Sequence, residues 1–158
     1  MDWQALEQAL AAEVDLLGRA VDLGERKRKT LTTNDVAELE ALFPAEGQLA
    51  SELQAMEFQL TGLASQLAGK LGVSSLEDVI TSPVCPRPQE LGQLFEQMVI
   101  RLAGLKQLNE QNHLLIEQAL HFIDYSLKVI VSSPEDPAYD ADGKSRQQAN
   151  PRLFDRKM

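Results

Sequence analysis

Apolar residues recur at steps of three and four along most of this chain, the spacing that gathers them on one face of a helix. The first stripe is Trp3, Leu6, Leu10, Val14, Leu17, Val21 and Gly24, and it predicts a helix over about residues 2–29. Asp2 stands where a side chain can accept hydrogen bonds from the first free amides. Arg26-Lys27-Arg28-Lys29 stands where cations meet the negative end of the helix dipole. A solvated helix end explains that basic run better than a docking patch, because the chain around it is acidic. Thr32-Thr33-Asn34-Asp35 reads as a break followed by a cap. A second stripe starts with Val36, Leu39 and Phe43 and resumes after Pro44 with Leu49, Leu53, Met56, Leu60, Leu63, Leu67 and Leu71. Proline inside a helix removes a hydrogen bond and crowds the preceding turn. The pattern therefore predicts one long element over about 35–71, kinked or briefly broken near Pro44 and ended by Gly72. The first two long elements are expected to pack as an antiparallel hairpin.

Ser74-Ser75-Leu76-Glu77-Asp78 carries a Ser-x-x-Glu capping box and predicts a short helix over about 76–80. Thr81 to Pro88 holds three prolines within a few residues and reads as a surface connector. The longest stripe follows: Leu91, Phe95, Met98, Leu102, Leu105, Asn109, Asn112, Ile116, Ala119, Ile123 and Ile130. A helix over 89–131 is roughly 60 Å long at 1.5 Å per residue, and it requires partner helices along its length. Asn109 and Asn112 sit where leucines are expected. Either they are buried and hydrogen-bonded, fixing register as a polar core position does, or they lie at the stripe's edge and touch water. The carboxyl half of this helix is apolar over more than one face, through Leu114-Leu115-Ile116, Leu120, Phe122-Ile123, Leu127 and Val129-Ile130-Val131. Such a helix wants two partners. Residues 133–158 are polar, with Tyr139, Leu153, Phe154 and Met158 as their large apolar groups, and are expected to form a mobile tail. The predicted architecture is all-α: an elongated antiparallel bundle of three long helices over 1–132, a short connector helix and a flexible tail.

A formal net charge of -9 on 158 residues argues against nucleic-acid and anionic-membrane partners. No apolar run approaches a transmembrane length, and the chain opens without the pattern of a signal peptide. A soluble cytoplasmic protein is the expectation. Cys85, the single cysteine, rules out an intramolecular disulfide and a cysteine-rich zinc site. Set between prolines with no activating basic arrangement, it reads as passive rather than nucleophilic.

Chemistry has little to stand on. Glu110-x-x-His113 is the motif that, paired with a second copy and two more glutamates, builds di-iron sites in bundles. Here there is one copy, and His121 is the other histidine. Spaced four apart, His113, Glu117 and His121 could share a ligand between neighbours, but one helix face does not enclose a metal. Phosphate loops, nucleophile elbows and dinucleotide fingerprints are missing from the sequence. No enzyme activity, metal or cofactor is expected. The remaining resource is surface for helices.

Leu108-Asn109-Glu110-Gln111-Asn112-His113-Leu114-Leu115, in a long last helix, resembles the Asn-x-x-Asn-x-x-Leu segment of the FlgN-type flagellar export chaperones. Pro137-Ala138-Tyr139-Asp140-Ala141-Asp142-Gly143 resembles that family's Tyr-x-x-x-Gly signature just after the helix. Size, acidity and element order also fit. The resemblance implies a type III export chaperone that binds the terminal helix of hook-filament junction proteins, prevents premature assembly and delivers them to the export gate. It places client binding on Leu105, Leu108, Asn109, Asn112, Leu115, Ile116, Ala119 and Ile123. It places docking on the cytoplasmic domain of the export gate at Tyr139 and Gly143, with the export ATPase complex as a further partner and a homodimer as a client-free form. The alternative is a self-associating helical scaffold without a client.

Overall fold

The computed structural model describes residues 1–132. These residues form α1 (Trp3–Thr33), α2 (Val36–Leu71), α3 (Leu76–Thr81) and α4 (Pro88–Ser132), an all-α bundle with no strand among them. The chain divides into two units, Met1–Ala119 and Leu120–Met158. The first holds α1 to α3 and α4 as far as Ala119.

Local chemistry sets the helix ends. Asp2 accepts from the Ala5 amide at 3.0 Å, Asp35 from the Glu38 amide at 3.1 Å and Ser75 from the Asp78 amide at 3.0 Å. Each satisfies an amide that the first turn leaves free. Ser75, in extended backbone (φ -127), is the cap of α3, so Asp78 rather than Glu77 occupies the third helical position. α1 runs past Lys29 to Thr33, where Asn34 turns into the left-handed region (φ 53) and closes it. Asparagine tolerates that conformation better than other residues with a Cβ. The basic run at 26–29 therefore lies inside α1 rather than at its end. Arg26 and Lys27 pair with Glu38 and Glu46 of α2 at 2.5 and 3.0 Å, and Lys27 also lies 5.8 Å from the Phe43 ring centroid. α2 is helical through Pro44 and ends at Gly72 (φ 69).

Within the first unit, cross-helix partners give the directions. Arg19, Lys27 and Arg26 of α1 meet Glu52, Glu46 and Glu38 of α2, so the two helices are antiparallel. Arg87 beside α4 meets Glu7 at 3.0 Å, Arg101 donates to the Val14 carbonyl, and Asn112 Nδ2 donates to the Gly24 carbonyl at 3.0 Å. Numbers rise together along both chains, so α4 runs parallel to α1.

The main core gathers Leu6, Leu10, Leu60, Leu67, Val79, Ile80, Cys85 and Leu91. Six-residue α3 could not persist alone; burying Val79 and Ile80 holds it. The proline-rich connector is not wholly a surface element. Cys85 is buried in this core, and its amide closes a turn on the Ser82 carbonyl at 3.0 Å. A second cluster, Leu16, Ala20 and Leu49, continues the α1–α2 contact and reaches Leu105 of α4. α4 approaches α1 closely at Gly24, where an added Cβ would stand 2.7 Å from Leu108 Cδ2 and 3.1 Å from Cγ. At Gly18 an added Cβ would meet Arg101 Nη1 at 2.5 Å. The second clash is the cheaper one, because it involves the far end of a long side chain.

Candidate functional site

The two asparagines of α4 take different environments. Asn112 is 3 % exposed, donates to the Gly24 carbonyl, and has a buried Oδ1 without a hydrogen-bond partner among the described residues. Asn109 is exposed. One residue is thus the buried register position and the other the solvated edge. Leu108, one turn before Asn112, is 5 % exposed and fills the space above Gly24. Leu108 and Asn112 face α1 within the first unit. Leu105, Leu115 and Ile116 are half-buried, and Ala119 is exposed.

Two concave surfaces lie in the first unit. One, of about 820 Å3, is lined by Leu114, Leu115 and Gln111 of α4 and by Arg26, Arg28 and Lys29 of α1. Arg28 reaches Gln111 at 3.2 Å across it. Glu25 lines it too and pairs with Arg28, and Arg26 pairs with Glu38, so two of its three basic side chains already have carboxylate partners. The other, of about 760 Å3, lies between α1, α2 and α4 and includes Leu17, Leu53, Leu60, Met98, Leu102 and Leu105.

Glu13 stands in that second wall. It is only 7 % exposed, and its Oε2 has no hydrogen-bond partner among the described residues. Burial, reinforced by the Glu57 carboxylate, pushes its carboxyl above the ordinary value of 4.5. Burial disfavours the charged form, and a like charge disfavours it further. The folded state therefore holds this proton more tightly than the unfolded chain. Stability falls as pH rises from about that ordinary value through the raised one. Glu13→Gln removes the titration. The wild type is expected to lose stability relative to Glu13→Gln between acid and neutral pH, read from urea midpoints at matched pH values. A constant difference would show that Glu13 is not buried in solution.

Glu13 escapes the sequence reading, which follows the Leu10-Val14-Leu17 stripe. A signal was present: Ala9, Glu13, Leu16 and Ala20 step by four, three and four along a second buried edge. Glutamate is rarely placed there unless paired.

In the second unit, Leu120, Phe122, Ile123, Leu127, Ile130 and Val131 of α4 are each more than half exposed. A few separate exposed leucines are ordinary, but so many on one short stretch mark an interaction surface. Elsewhere on α4, His113 Nε2 stands 3.3 Å from Glu117 Oε1, with both side chains exposed, and Glu110 and His121 are exposed too. No group of three metal-ligating side chains forms among the described residues. No described helix is long and apolar enough to cross a membrane. Tyr139 and Gly143 lie outside the described residues.

No curated protein and no solved structure matches the chain. Over residues 1–147 it matches the family model described as FlgN protein, and the chain belongs to that family of flagellar export chaperones.

Proposed function

We propose that this protein binds the terminal helix of hook-filament junction proteins in the cytoplasm, holds it from premature assembly and hands it to the export gate. The observation that carries the reading is the apolar surface of α4 beyond Ala119, where Ile123 is 53 % exposed and its large apolar neighbours are similarly open. An amphipathic helix laid on such a surface buries apolar area on both partners. In the first unit, Leu105, Asn109, Leu115, Ile116 and Ala119 supply contacts. Leu108 and Asn112, buried against Gly24, set the register of the helix that bears them. In the second unit, Ile123 is the central anchor. Titration calorimetry against the purified terminal helical segment of a junction protein tests the reading. Tight 1:1 binding with a large negative heat-capacity change is expected, the mark of apolar burial. No heat at high concentration, with light scattering showing a stable homo-oligomer, would favour the self-associating scaffold instead.

Docking on the cytoplasmic domain of the export gate is assigned to Tyr139, with Gly143 beside it and the export ATPase complex as a further partner. Its support is the Tyr-x-x-x-Gly signature and the placement of a large aromatic in a polar stretch, a usual form of interface anchor. Tyr139→Ala is expected to weaken gate binding about tenfold, near 1.4 kcal/mol, while leaving client affinity unchanged. Equal gate affinity for variant and wild type removes Tyr139 from the mechanism.

A further inference from the structure

The groove holding Glu13 is built for more than packing. Its floor on α2 is a run of small residues, Thr61, Ala64, Ser65, Ala68 and Gly69, spaced so that they share one helix face. Small side chains let a neighbouring helix axis come close. Its walls are apolar, through Leu17, Leu53, Leu102 and Leu105. Among these surroundings stand two carboxylates, Glu13 buried and Glu57 exposed. A buried carboxylate is costly unless it is paired, yet no Lys or Arg ion-pairs with Glu13 or Glu57 among the described residues. Arg101 of α4 donates to the Val14 carbonyl and forms no ion pair with either carboxylate among the described residues.

We propose that this groove is a second client subsite, which seats an apolar helical segment and takes one of its Lys or Arg side chains onto Glu13, with Glu57 at the mouth. The inference rests on the chaperone reading and adds a charge requirement to it. Charge complementarity names the occupant. A purely apolar segment would leave Glu13 buried and alone, whereas an ammonium or guanidinium supplies the missing partner for Oε2. Leu105 lines the groove and belongs to the proposed client-binding set.

The test uses the full chain and the terminal helical segment of a junction protein, synthesised with each Lys and Arg replaced in turn by Met. Glu13→Gln keeps the side-chain shape and removes a buried charge, so it is expected to fold at least as well as the wild type. Calorimetry should show Glu13→Gln binding the unmodified segment about tenfold more weakly, with a smaller loss for Glu57→Gln. One Met-substituted segment should bind wild type and Glu13→Gln equally, because a coupled pair is non-additive in a double-mutant cycle. If wild type binds the segment and Glu13→Gln binds it equally well, the groove is not a subsite, while the chaperone reading stands. If the wild type does not bind the segment at all, the chaperone reading fails and takes this inference with it. If Leu102→Ser changes the oligomeric state in light scattering but leaves client affinity intact, a second copy occupies the groove and the inference is overturned.

Discussion

Asn112→Asp is expected to lower stability by about 3 kcal/mol at neutral pH, the cost of a buried charge left without a counter-charge. The side chain is buried between α4 and α1, its Nδ2 donates to the Gly24 carbonyl at 3.0 Å, and its Oδ1 already lacks a partner among the described residues. An aspartate of the same shape would set a charged oxygen against that carbonyl and leave a second one unsolvated. Both effects favour the protonated acid, so the folded pKa would rise above the unfolded one. The sign follows. Below the unfolded pKa the variant is protonated in both states, and its O–H can replace the amide donor. As pH climbs through the unfolded value and then the folded one, stability is lost until both states are charged. Thermal unfolding at pH 7 should show a loss on the order of 10 °C, largely recovered in acid. A variant as stable as the wild type at pH 7 would mean that α4 does not seat on α1 through this residue.

Ile123→Asp should weaken binding of a junction-protein helical segment by at least about 30-fold, the 2 kcal/mol of an interface hot spot. The residue is more than half exposed in the free protein, so a carboxylate there stays hydrated and the fold is expected to survive. In the complex the same carboxylate would be stripped of water against an apolar partner without a counter-charge. Circular dichroism establishes the fold, and calorimetry reads the affinity. Undiminished binding by the folded variant would place the client elsewhere. Leu108 is the instructive contrast: buried over Gly24, it would lose binding and fold together when made polar and so reports on neither alone.

Helix identity is a local property, and the sequence carried it, although α1 runs on to Thr33 rather than stopping near Lys29. Period-three-and-four stripes, the capping carboxylates of Asp2 and Asp35 and the left-handed stop at Gly72 are decided within one turn of chain. So was the family, because its motifs are short and follow one another along the chain, one within α4 and one beyond it. Neighbours decided the rest. Asn109 and Asn112 have the same chemistry and both fall in one stripe, yet the rotation of α4 against Gly24 buries one and leaves the other in water. Cys85 sits in a proline-rich stretch that reads as surface, but the turn on Ser82 directs it into the core beside Leu91. Glu13 reads as an ordinary acidic residue of an amphipathic helix. Its burial, with Oε2 unpartnered among the described residues, comes from α2 and α4 flanking its face of α1. A sequence fixes which face of a helix is apolar. How far burial spreads around that face depends on where the neighbouring helices lie, a matter of packing between residues distant in the chain.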